Sequence, residues 1–279
     1  MPIRINLAQA LRRYRFQSGS RFIWVDVICI DQSNLLERSY HVAMMGEIYQ
    51  RSQCTLIWLG PGTPNTVRGL EFVWDLMNAR NSLGDNEPAA TIQSSSTFEK
   101  KTKYNLDDSN PRLHAYRAPQ LNPCFRRVWV IQEVALASKA SITLGPCTVD
   151  WDDYCTARVF ASKMRVQGSG GDESGTVVDE LAQAKVLVSQ RSYATHRLLP
   201  LLLHYRQFEA TDARDKIFAL RGLFPSSKYA DILSPNYDVA TSLLYEKAAR
   251  CILAQDRTLD ILGVPRSDPS NKVSTPDGN

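Results

Sequence analysis

A carboxylate and an amide lodged side by side in the most apolar stretch of the middle of the chain limit what this sequence can fold into. The stretch runs Phe125-Arg126-Arg127-Val128-Trp129-Val130-Ile131-Gln132-Glu133-Val134-Ala135. Read as a helix it is apolar almost all round, through Val128, Trp129, Val130, Ile131, Val134 and Leu136, so the spacing predicts burial. Val and Ile also suit a strand, but Ala135, Leu136 and Ala137 extend the helical reading and Asn122-Pro123 supplies a start. Burying an amide or a carboxylate is costly unless it is hydrogen-bonded or paired. Gln132 and Glu133 therefore need partners or a polar cleft. As a helix, the stretch also sets Trp129 on the face of Glu133, four residues on.

The rest of the chain bounds the answer more loosely. Its 279 residues, 43% hydrophobic and 22% charged, suit a globular protein with a sizeable core. The net charge of +4 is spread along the chain with no block of five or six basic residues, only a weak hint of nucleic-acid or anionic-membrane binding, and no nucleic-acid partner is expected. No apolar run approaches the length of a membrane span, and Met1-Pro-Ile-Arg-Ile-Asn6 lacks the apolar core of a signal peptide. Six cysteines (Cys29, Cys54, Cys124, Cys147, Cys155, Cys251) lie far apart with no Cys-x-x-Cys or His/Cys cluster. That pattern predicts reduced thiols, no metal site and a cytoplasmic location.

Arg21 to Ile30 is a near-continuous β-branched and aromatic run, which predicts a central strand buried on both faces. Asp26 interrupts it, and Asp31-Gln32-Ser33-Asn34 follows as a polar loop. A loop at the carboxyl end of a sheet strand is a place for ligands, and equally a cap for the next helix. A helix over about 36–51, a strand over 54–59 and a helix over 66–80 complete a βαβ pattern, with a third strand over 140–144. From Val177 the pattern is helical: about 177–190, 198–208, 213–223 and 238–256. Asp212 and Asp215 open one of these helices and read as a cap with exposed ion pairs rather than a catalytic pair. The expected architecture is α/β: an open, mainly parallel sheet with helices on both faces and a helical C-terminal layer. One domain over 1–265 carries a surface insertion at about 81–111, and 266–279 is expected to be a disordered tail.

Four segments together resemble the heterokaryon incompatibility (HET) domain of filamentous fungi. They are Trp24 to Gln32; Glu37-Arg38 through Met45, Ile48-Tyr49 and Trp58-Leu59-Gly60; Phe125 to Glu133 with Gly145 and Trp151; and Asp212 to Leu220 with Gly222-Leu223. Asp31 stands where the family usually has Asn before Gln. The family's opening strand, ending in a Leu-Ser-Tyr-x-Trp-Gly type motif, has no counterpart, so one sheet strand is expected to be absent.

The resemblance implies a protein that triggers regulated cell death when genetically unlike hyphae fuse, with other incompatibility proteins or its own copies as partners. HET domains are distantly similar to TIR domains, some of which hydrolyse NAD+ through a glutamate on a helix. Trp129-Val-Ile-Gln-Glu133 is the nearest counterpart of that setting. Two readings follow. In one, Glu133 is catalytic, with Asp26, Asp31, Gln32 and Trp129 around NAD+ as substrate and no resident cofactor. In the other the domain is a non-catalytic, self-associating signalling module and Glu133 is paired to Arg126 or Arg127.

Overall fold

Two of the three expected strands form and pair in parallel, while the βαβ unit expected over 21–59 lacks its first strand. β1 (Thr55–Trp58) lies parallel to β2 (Ala140–Leu144), with Ile57 opposite Ile142. β3 (Cys147–Asp150), which the sequence did not announce, turns back antiparallel to β2 through Gly145-Pro146, and the sheet order is β1-β2-β3. Gly145 sits at φ 57°, where a Cβ would lie 2.5 Å from the Pro61 carbonyl oxygen, so this hairpin needs glycine. The structure is a computed structural model that describes residues 3–83, 111–165, 176–189, 197–224, 229–256 and 259–263. The tail at 266–279, and nearly all of the insertion expected at 81–111, lie outside the described residues.

The expected strand over Arg21 to Ile30 is not there. Residues 20–25 run without a ladder partner, and Asp26–Cys29 form a single helical turn, α2. Local polar bonding explains the outcome. The Asp26 carboxylate accepts the Val27 N–H at 2.7 Å and the Gln32 amide donates to the Asp26 carbonyl at 3.2 Å, an alternative to strand pairing. The sheet is therefore mixed and three-stranded rather than mainly parallel.

The helices follow the apolar spacing more closely. α1 (Ile5–Tyr14) leads, and α3 (Leu35–Arg51) starts at Asn34, whose side chain accepts the Leu36 and Glu37 N–H groups at 3.1 Å each. α4 (Pro64–Leu83) crosses α5 (Pro111–Arg117) so closely that a Cβ on Gly69 would lie 2.2 Å from the Ala115 carbonyl. α7 (Trp151–Arg165) and α4 pack against the sheet.

The central stretch is not one helix. Pro123–Arg126 make a 3₁₀ turn capped by Asn122, Arg127 is extended and α6 spans Val130–Ala135. The interruption is the pairing of 126–128 with Glu209: Val128 N–H donates to the Glu209 carbonyl at 2.8 Å and Glu209 N–H to that of Arg126 at 2.5 Å. Burial of α6 is as expected, with Val130, Ile131, Gln132, Val134 and Ala135 all inside.

The C-terminal layer comprises α8 (Val177–Ser189), α9 (Leu198–His204), α10 (Asp215–Phe218), α11 (Ala230–Leu233) and α12 (Thr241–Asp256). It docks mainly on α6 and α3 rather than on the sheet. The reason lies in the residues of α6: with both faces apolar, it is the central element that the later helices cover.

Candidate functional site

Gln132 and Glu133, neighbours in sequence, meet different surroundings. The Gln132 side chain is buried, and its amide donates to the Phe218 carbonyl at 3.2 Å and the Ala219 carbonyl at 2.8 Å. It sits under Gly222, where a Cβ would come 2.8 Å from Gln132 Oε1 and 2.4 Å from Leu136 Cδ1. Gln132 is thus the fastener between α6 and the C-terminal layer.

Glu133 faces the other way and keeps some solvent contact. Around it stand Arg127, from the extended break; Asp26, from α2; and Tyr49, from the last turn of α3. The Tyr49 hydroxyl lies close enough to the Glu133 carboxylate to favour its charged form. Burial pushes the Glu133 pKa above the usual glutamate range; Arg127 and Tyr49 pull it back, while Asp26 adds to the rise. Burial, and then the negative charges of Glu133 and Asp26, hold the Tyr49 phenol well above its ordinary value, so it remains a hydrogen-bond donor. Cys124 lies in the same cluster, its thiol pushed up to about 11 by burial and Glu133. At neutral pH it is protonated and a poor nucleophile.

The residues singled out from the sequence divide. Asp26 joins Glu133. Asp31 is exposed and accepts both the Ser33 N–H, at 3.0 Å, and the Ser33 hydroxyl, at 2.6 Å, as a turn residue before α3. Gln32 braces α2 through the Asp26 carbonyl. Trp129 lies beside Asp215, whose charged form its indole favours. The aromatic groups at the Glu133 cluster are instead Tyr49 and Trp24, in edge contact with centroids 6.0 Å apart.

A second polar cluster gathers around Asp215, which is buried. Tyr237 donates to Asp215 at 2.5 Å, and Arg38 of α3 lies 3.8 Å from Asp215 and 3.6 Å from Asp212. The Arg38 guanidinium lies over the Tyr237 ring, 3.6 Å from its centroid. Arg214 grips Asp212 with two bonds, at 2.9 and 2.8 Å, and donates to the Tyr237 and Val239 carbonyls. The expectation of a cap with exposed ion pairs at Asp212 and Asp215 is corrected: Asp212 accepts the Arg214 N–H at 3.0 Å in the turn before α10, the cap position Arg214 makes no side-chain cap bond, and the pairs are mostly covered.

Among the described residues no set of His, Cys, Asp and Glu side chains is arranged to hold a metal ion. A shallow groove of about 590 Å³ lies elsewhere, between α1 and the β2–β3 turn, lined by Gln9, Arg12, Arg13, Trp58, Pro61 and Pro146.

With the geometry in hand, comparison with known proteins says what the chain is similar to. Residues 1–133 match the heterokaryon incompatibility protein (HET) family. The resemblance carried by the sequence motifs is borne out. The chain is also similar to the Heterokaryon incompatibility protein 6, OR allele, of Neurospora crassa, with 23% identity over 306 aligned residues. The alignment covers 94% of this chain and 45% of that protein, so the chain spans less than half the length of its relative. No solved structure matches it. The HET match contains every member of the Glu133 cluster: Trp24, Asp26, Tyr49, Cys124, Arg127 and Glu133 itself. Tyr49, Cys124, Arg127 and Trp24 went unassigned as site residues in the sequence. The sequence signal for Tyr49 was its place in the apolar repeat of α3, which reads as core.

Proposed function

We propose that this chain is the signalling domain of a fungal vegetative-incompatibility protein and triggers regulated cell death when genetically unlike hyphae fuse. One observation carries the reading: two distant parts of the HET-matched stretch, near residues 24–26 and 124–133, come together around Tyr49 into one polar cluster. The similarity to an incompatibility protein of Neurospora crassa over 94% of the chain supports it. Its partners are other incompatibility proteins or further copies of itself, acting in the cytoplasm. The test is expression of the full chain in a filamentous fungus, followed by fusion with a strain lacking it. Expected is vital-dye uptake confined to fused compartments; fusion indistinguishable from a vector control at confirmed protein levels refutes the reading.

A second reading is favoured by the Glu133 cluster: hydrolysis of the nicotinamide–ribose bond of NAD+, on a fold distantly TIR-like. Nicotinamide would leave with the bonding electron pair, water would add at the ribose carbon and its proton would pass to solvent. The transition state has oxocarbenium character, and an ionised Glu133 held by Tyr49 supplies the opposing charge. Nicotinamide release by the purified chain, lost in Glu133→Gln at unchanged stability, would support the reading. If the parent is inactive in its oligomeric form, or if cell death persists undiminished in Glu133→Gln, the domain works as a non-catalytic, self-associating module.

A further inference from the structure

The N-terminal 25 residues hold five arginines (Arg4, Arg12, Arg13, Arg15, Arg21) and no acidic residue, within a chain whose net charge is only +4. All five are exposed, and the ion pairs of the described residues involve other side chains. Apolar groups stand exposed between them: Phe22 fully, Ile5 at 78%, Ile3 at 50% and Phe16 at 49%. Apolar groups exposed among cations mark an interaction surface, and α1 explains how they are displayed. Ala10 is buried and the Tyr14 ring meets Trp58 edge-on at 6.2 Å, so this side of α1 holds the helix to β1. Ile5 and Arg12, seven apart, share the opposite face.

The loop after α1 continues the pattern. The Arg21 guanidinium lies 4.7 Å from the Phe16 ring centroid and donates to the Tyr14 carbonyl at 2.9 Å, so charge and ring are presented together. Arg13 donates to the Gly145 carbonyl at 3.1 Å and the Pro146 carbonyl at 2.9 Å, which fixes α1 on the β2–β3 turn without neutralising the charge. The shallow groove between α1 and that turn, of about 590 Å³, runs beside Arg12 and Arg13.

We infer that residues 3–22 form a peripheral docking surface for an anionic phospholipid bilayer. Guanidinium groups pair with headgroup phosphates while Ile3, Ile5, Phe16 and Phe22 enter the boundary between headgroup and acyl chain. An acidic protein would satisfy the charges and leave the apolar groups wet. Single-stranded nucleic acid would stack on the two phenyl rings but has no use for the isoleucines. The bilayer answers both features, because its anionic layer lies directly over an apolar one. Among the described residues no helix is long and apolar enough to cross a membrane, so the contact lies on the surface. The inference is independent of any chemistry at Glu133.

The test is co-sedimentation of the full chain with vesicles of phosphatidylcholine alone, or with about a third of the lipid replaced by phosphatidylserine. Binding is expected only with the serine lipid, and is expected to vanish near 1 M salt, where the screening length falls to about 3 Å. Each arginine near the surface contributes about fivefold, so Arg12→Gln combined with Arg15→Gln should weaken binding about 25-fold. Phe22→Ser should weaken it while leaving its salt dependence unchanged. All variants should melt with the parent, since none of the three residues is buried. Equal binding to both vesicles, binding to neither, or tighter retention on a single-stranded oligonucleotide than on serine-lipid vesicles each overturns the inference.

Discussion

Replacing Gln132 tests whether the two polar residues of α6 are divided as the structure divides them. Gln132→Leu keeps the volume but removes both donors, at 3.2 and 2.8 Å, from the Phe218 and Ala219 carbonyls. Each hydrogen bond is worth about 0.5–1.5 kcal/mol net, and a buried carbonyl left unpaired costs about 1–3 kcal/mol. Some of the second cost is relieved by local relaxation, which gives a loss of about 2–4 kcal/mol. Against a total stability of about 5–15 kcal/mol that is a large fraction, and it corresponds to a melting point lower by roughly 5–15 °C.

Gln132→Glu sharpens the test. An ionised carboxylate there would face two carbonyl oxygens with no cation beside them, so the introduced carboxyl must titrate higher in the folded than in the unfolded protein. A folded pKa raised in this way means that stability is retained below the unfolded value, near about 4.3, and lost as pH rises through the folded one. The variant should therefore be worse than Gln132→Leu near neutral pH and close to it near about pH 4. The measurement is circular-dichroism melting of the full chain at both pH values. A Gln132→Leu variant that melts within about a degree of the parent would refute the fastening role. So would a Gln132→Glu variant more stable at neutral than at acid pH.

Three further outcomes follow from the same coordinates. Gly69→Ala places a Cβ 2.2 Å from the Ala115 carbonyl carbon and oxygen, backbone atoms that cannot step aside, so a loss of about 3 kcal/mol is expected in urea unfolding. Arg38→Met removes the cation paired with Asp215, while Arg214 still holds Asp212, and should cost about 2 kcal/mol near neutral pH. That cost should shrink in acid, because burial raises the Asp215 pKa and the carboxyl protonates early; an unchanged cost in urea melts would refute the assignment. For Glu133, whose folded pKa burial also raises, stability is present below the ordinary glutamate value and is lost as pH rises through the folded one. The melting point of Glu133→Gln relative to the parent should therefore climb with pH across that window, and a decline would show that Arg127 dominates instead.

How much of this was legible depended on whether a residue's partners were local. The apolar spacing gave the strands at 55–58 and 140–144 and most helices, because one buried face leaves a period in the sequence. It also required that Gln132 find hydrogen-bond partners, since an amide among Val130, Ile131 and Val134 has no other way to be buried. The Arg21–Ile30 run misled for the converse reason. A β-rich composition says that a segment can pair, but a strand also needs a ladder partner, and here Asp26 and Gln32 offered the backbone a closer one. The break at Arg127 was hidden because its cause, Glu209, lies eighty residues on. Tyr49 and Cys124 read as core, and only the fold brings them beside Glu133.

The two polar clusters are built from the same pair of elements. α3 carries Arg38 at one end and Tyr49 at the other; the first reaches Asp215, the second Glu133. The chain entering α6 does the same over four residues, with Trp129 beside Asp215 and Glu133 beside Tyr49. Between these ends Gln132 fastens α6 to the C-terminal layer, and Gly46 of α3 comes within 3.4 Å, measured from its ideal Cβ, of the Gly222 backbone. Arg38 and Tyr49 ride on one continuous helix, so a shift of α3 that opens the Asp215 cluster must also move Tyr49 relative to Glu133. Loss of function in an Asp215 variant therefore does not by itself make Asp215 a reacting group. The separation comes from Tyr49→Phe, which removes the donor to Glu133 and leaves Arg38, Asp215 and Tyr237 untouched: a defect shared by Tyr49→Phe and Glu133→Gln, at parental melting temperature, belongs to the Glu133 cluster itself.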